Sequence, residues 1–70
     1  MKDRKDRRVV IDYTNWRGER RERLVEPIMI AFTHTEHHPT PGWLMLCRDI
    51  EKGEKRWFAM CDVHAMRPAS

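Results

Sequence analysis

The sequence predicts an all-β fold, a small antiparallel barrel of about five strands. Three observations carry that expectation. Val9-Val10-Ile11-Asp12-Tyr13-Thr14 is rich in β-branched residues, and 28–33 and 43–50 are apolar runs of strand length. Turn signals separate these runs: Asn15-Trp16-Arg17-Gly18, a polar stretch over 33–42, and Glu51-Lys52-Gly53. Pro27, Pro39, Pro41 and Pro68 interrupt the chain, and no long stretch repeats its apolar residues at the helical period.

The elements follow in order. The first strand ends at a turn closed by Gly18, and the return strand over 19–26 alternates charged positions with Leu24 and Val25. Pro27 removes one ladder donor and marks a bend or an edge. Residues 28–33 then read as a buried strand, and a long strand bent in its middle lets a small barrel curl. The longest loop carries His34, His37 and His38. After it comes a hairpin of 43–50 and 54–63. A three-residue loop closing on Gly53 sets its register. Leu44 then faces Met60 and Leu46 faces Phe58 on one side. On the other, Trp43 faces Cys61, Met45 faces Ala59 and Cys47 faces Trp57. Leu46 opposite Ala59 and Leu44 opposite Cys61 would pair less well. The expected core is Leu24, Ile28, Ile30, Leu44, Leu46, Phe58 and Met60, with Ile11 and Tyr13 adjoining.

A chain of 70 residues holds one domain, which excludes a doubly wound nucleotide-binding domain, a TIM barrel or a two-lobed enzyme. Charged residues make up 36%, yet the net charge is only +3 and the apolar residues are clustered. The expected division is a flexible basic segment over 1–8, the barrel over 9–66 and a disordered C-terminus over 67–70. Residues 1–23 hold nine basic and five acidic side chains, whereas 24–70 hold five and six. This basic end suits a solvated tail and a soluble first hairpin, and equally attraction to an anion. No apolar run approaches the ~20 residues of a membrane helix. No signal-peptide pattern is present, so the expectation is a cytoplasmic protein without membrane contact, with Cys47 and Cys61 as reduced thiols.

Ile11-Asp12-Tyr13-Thr14-Asn15 is followed by Arg23-Leu24-Val25-Glu26-Pro27, then by Trp43-Leu44-Met45-Leu46-Cys47-Arg48-Asp49, then by Arg56-Trp57-Phe58-Ala59-Met60-Cys61-Asp62-Val63. This succession resembles the WYL domain of bacterial transcription regulators over about residues 9–64. That family runs from a strand with Tyr through Arg-x-Val-x-Pro to Trp-Tyr-Leu, then a hairpin with Arg-x-Phe and Asp-Arg-Ile. Leu44 replaces the central Tyr and Val63 replaces the Arg after Asp, two positions tied in the family to ligand contact or a polar lining. The 70 residues hold no counterpart of the helix-turn-helix that usually precedes the domain. The resemblance implies an SH3-like, or Sm-like, β-barrel. It also implies a ligand-sensing regulatory module, some of whose members bind single-stranded nucleic acid. Arg23 and Arg56 match family arginines, and Trp43 matches the motif Trp.

The hairpin register places Arg48 opposite Arg56, on the face of Leu44 and Phe58. Like charges facing each other across a sheet need compensation. Glu26, Asp49 or Glu54 can supply it, as can a bound anion or snorkelling outward from the rim. Converging guanidinium forks suit phosphate or carboxylate oxygens, so Arg23, Arg48 and Arg56 form a candidate anion site. Trp43 and Trp57, about 13 Å apart at strand spacing, suit stacking on separate bases. They equally suit covering the barrel's open side, or a second copy docked on a Trp43/Met45/Trp57 face. The expected partners are therefore an anionic small ligand or single-stranded nucleic acid, or a homodimer partner. Among His34, His37, His38, Cys47, Cys61 and His64, His34 and His37 could form one chelating pair, but no Cys-x2-Cys completes a zinc site, so none is expected. Cys61 and His64 lack a third orienting group, so neither catalysis nor a cofactor is expected.

Overall fold

The computed structural model describes residues 7–69, so most of the expected basic segment lies outside the described residues. Five strands form one antiparallel sheet: β1 (Val9–Thr14), β2 (Arg20–Thr33), β3 (Gly42–Asp49), β4 (Glu54–Ala59) and β5 (Val63–Pro68). Their order is β4-β3-β2-β1-β5, and a 3₁₀ turn at Met60–Asp62 links β4 to β5. The all-β, antiparallel expectation holds. The barrel does not close, because β4 and β5 are both edges with no ladder between them among the described residues. A lighter contact spans the gap instead. Tyr13 of β1 meets Phe58 of β4 edge to face at 4.9 Å, and the Ala59 N–H donates to the Tyr13 hydroxyl at 3.2 Å. Pairing of β5 with β1 runs to Pro68, and the Ala69 N–H donates to the Arg8 carbonyl, so order extends past Met66 into the expected tail. No helix among the described residues is long and apolar enough to cross a membrane.

The β1–β2 turn is built by Asn15. Its side-chain oxygen accepts from the Arg17 and Glu19 amides, both at 2.9 Å, and Gly18 takes a φ of +81° that β-carbon-bearing residues avoid. Strand β2 is continuous, and its bend is a bulge: Pro27 pairs with Cys47, Met29 with Leu46, and Ile28 is the extra residue. Residues 20–25 pair with β1 and only Val25 pairs with both neighbours, whereas from Glu26 onward β2 has only β3 beside it. Ile28 and Ile30 are consequently about half exposed rather than buried.

The second hairpin differs from expectation by one residue. Leu44 pairs with Ala59, Met45 with Phe58, Leu46 with Trp57, Cys47 with Arg56, Arg48 with Lys55 and Asp49 with Glu54. The loop therefore has four residues, 50–53. Asp49 explains this: its Oδ1 accepts from the Glu51 and Lys52 amides, and its carbonyl accepts from the Gly53 N–H at 2.7 Å. Gly53, at φ +70°, then turns the chain back. A one-residue slip exchanges the faces. The core is accordingly Ile11, Tyr13, Val25, Met45, Cys47 and Phe58, with Val9, Met60 and Val63 packed against it. Leu44 is buried too, but on the opposite face, where it pairs with Ala59.

Candidate functional site

Cross-strand partners share a face, so the pairings carry the core face through two charged rows. Tyr13 faces Arg21, Ile11 faces Arg23, Val25 faces Asp49 and Cys47 faces Arg56. Glu54, opposite Asp49, joins them, so three guanidiniums and two carboxylates lie on the side of the sheet that also carries the core. Arg23 is only 6% exposed and Asp49 1%.

Their partners are few. Arg20 binds Asp12, and Arg67 binds Glu22, through two-pronged bonds on the opposite face. Arg21 stands 3.8 Å from Glu51, and Arg56 stands 3.9 Å from Asp49, too far for a hydrogen bond. Among the described residues the Arg23 side chain has neither a hydrogen bond nor an ion pair, and its buried Nε has no acceptor. Asp49 Oδ2, also buried, has no donor. Burial first, then repulsion from Arg21 and Arg56, pulls Arg23 below its ordinary range, with Asp49 and Tyr13 pulling the other way. It stays charged, since guanidinium does not lose its proton in proteins.

Arg23 lines an open cleft of about 840 Å³. Tyr13, Arg21, Arg56 and Phe58 share the core side of its wall, Lys52 and Lys55 rise from the β3–β4 hairpin, and Trp57 borders it from edge strand β4. The β1–β2 turn contributes Trp16 and Arg17, whose guanidinium lies 5.0 Å from the Trp16 ring centroid, and the long loop contributes Thr35, Glu36, His37 and His38. Glu19 and Glu54 line it as well, so with Glu36 three carboxylates stand against six cationic side chains, and the wall is basic on balance with aromatic rings on it.

Of the expected site residues, Arg23, Arg56 and Trp57 meet at this cleft. Arg48 does not: the register turns it to the other face, opposite Lys55 and 3.8 Å from Glu26. Trp43 also leaves. It pairs with Phe32 at 5.5 Å, on the face opposite Trp57, and borders a separate cavity of about 640 Å³ with residues 37–42 and 59–62. Since Met45 and Cys47 are buried, the expected Trp43/Met45/Trp57 face does not exist. Arg21, Trp16, Lys52 and Lys55 enter unforeseen. The adjacency of Trp16 and Arg17 on a turn was the one signal for that end of the cleft.

Among the described residues no group of three or more His, Cys, Asp or Glu is placed to hold a metal ion. Burial and the nearby Asp49 charge push the Cys47 thiol up to about 12, so it is no nucleophile near neutrality. Cys61 is exposed and free. No curated protein and no solved structure matches the chain. The family model described as the WYL domain matches residues 4–68, which include every strand, the cleft and both arginines. This chain belongs to the WYL domain family, a family of regulatory domains.

Proposed function

We propose that this domain is a regulatory binding module whose cleft takes an anionic ligand, single-stranded nucleic acid being its polymeric form. One observation carries the reading: Arg23 holds a buried guanidinium against the cleft with no carboxylate of its own. A buried charge that Asp49 offsets only without a hydrogen bond is costly, and a bound oxyanion would compensate it. Arg56 and Arg21 supply further forks, Lys52 and Lys55 add charge at the rim, and Trp16 and Trp57 offer rings for stacking. Titration with short single-stranded DNA at two salt concentrations tests the polymeric form, because phosphate contacts weaken steeply as salt rises. Binding that ignores salt, or no binding of any anion, removes the proposal.

A second reading rests on a different place. Ile28, Met29, Ile30, Phe32 and Trp43 are all about half exposed at the far end of the β2–β3 hairpin. That patch favours self-association through the hairpin end.

A further inference from the structure

The depth of Arg23 bears on which anion the cleft takes. Its side chain is nine-tenths buried on the core face, while Lys52 and Lys55, both exposed, belong to the rim. A phosphodiester inside a chain carries one negative charge and two substituents that must both leave the site. Such a group can lie along the rim, but it cannot be lowered onto Arg23 without burying its two chains. A terminal phosphate has one substituent, three free oxygens and a charge of about −1.5 to −2 at neutral pH. Three oxygens can accept from two guanidinium forks at once. The doubled charge also matches a floor where Arg23 is unpaired and Arg56 is held only loosely, at 3.9 Å, by Asp49.

We propose that the cleft floor of Arg23 and Arg56 selects a terminal phosphate monoester over an internal phosphodiester. This rests on the reading of the cleft as an anion site and narrows it to an end group. Asp49 is then a positioning residue. It lies beside both arginines, is not part of the cleft wall, and meets the ligand only through them.

The test uses the full 70-residue chain and two small probes, phenyl phosphate as monoester and methyl phenyl phosphate as diester, titrated by calorimetry at pH 7.5. The monoester should bind about tenfold or more tightly, the worth of an added charge-assisted hydrogen bond. Arg23→Met should abolish that preference, and Arg48→Met, on the opposite face, should leave it intact. Should Arg23→Met fail to fold, Arg23→Lys keeps the charge but loses the fork, and should cut the preference severalfold. Equal affinity for both probes, lost together in Arg56→Gln, would overturn the selectivity and leave the anion cleft standing. A preference that survives both Arg23 variants overturns it as well. A folded protein that binds neither probe removes both the end-group proposal and the anion reading beneath it.

Discussion

A guanidinium buried without a hydrogen-bonded carboxylate costs several kcal/mol, even after relaxation and water penetration. Arg23 is such a group, and replacing it by an apolar side chain of similar length should not harm the fold. Arg23→Met is therefore expected to melt at the same temperature as the parent or higher, while the preference for a phosphate monoester is lost. A marked fall in melting temperature would make Arg23 a structural residue instead. Its neighbour Arg56 is half-exposed and only loosely paired, so Arg56→Gln should weaken anion binding by about 1.5–3 kcal/mol with little change in melting. The two cysteines differ in the same physical way. Cys61 is exposed, whereas Cys47 is buried and its thiol is pushed from 9.0 up to about 12. A thiol reagent at pH 8 should label Cys61 quickly and Cys47 only on unfolding. Because the folded-state value is raised, the contribution of Cys47 to stability is full below about pH 9 and is lost as pH climbs toward 12. A protein equally stable at pH 8 and pH 11 would contradict this burial. Arg23 and Arg56 were legible in the sequence through the motif positions they occupy. The isolation of Arg23 was not, since pairing depends on which face every neighbouring carboxylate takes.

At the scale of elements, the β3–β4 hairpin decides the site. The chain Asp49-Ile50-Glu51-Lys52-Gly53 supports a three-residue or a four-residue loop, since both end on Gly53. Strand pattern does not choose between them, because both faces of 43–47 are apolar. The choice falls to the Asp49 carboxylate, which satisfies the Glu51 and Lys52 amides and seats Asp49 opposite Glu54. That one-residue difference sends Arg48 to Glu26 and leaves Arg56 beside Arg23. The strands themselves, the Asn15 turn and the bend at Pro27 were readable from local chemistry. The register was not, because it rests on two hydrogen bonds of one side chain, Asp49. Asp49→Ala should cost about 1–3 kcal/mol by leaving those amides without an acceptor. Asp49→Asn retains a side-chain oxygen and should recover much of that loss, measured by chemical denaturation. If both variants lose the same amount, charge rather than turn geometry is what Asp49 supplies.

For the whole molecule, the distribution of charge matters more than its sum. From Pro27 to Cys47 the only charged side chain is Glu36, in a chain that is 36% charged. This stretch forms the end of the β2–β3 hairpin, beyond the reach of β1, and it holds five of the large apolar side chains that are about half exposed. The sequence reading took 28–33 for a buried strand. Its apolar character was legible, but the absence of a covering neighbour was not, since that depends on where β1 begins. Five half-exposed large side chains present on the order of 500 Å² of apolar surface in all, shared between the two faces of the hairpin end, since Met29 faces Leu46 while Ile30, Phe32 and Trp43 take the other side. The self-association proposed above would seat a second copy here. Two hairpin ends can meet without strong like-charge repulsion, because Glu36 is the one Asp, Glu, Lys or Arg between Pro27 and Cys47. Ile30, Phe32 and Trp43 share one face by strand pairing, and the Phe32 and Trp43 rings are already packed edge to face. Sedimentation at high micromolar concentration should therefore show a dimer. Trp43→Lys should return it to monomer and leave phosphate binding unchanged, because the cleft does not include Trp43. A parent chain that stays monomeric at millimolar concentration removes the dimer, and a Trp43→Lys variant that loses phosphate binding too shows the two surfaces to be coupled.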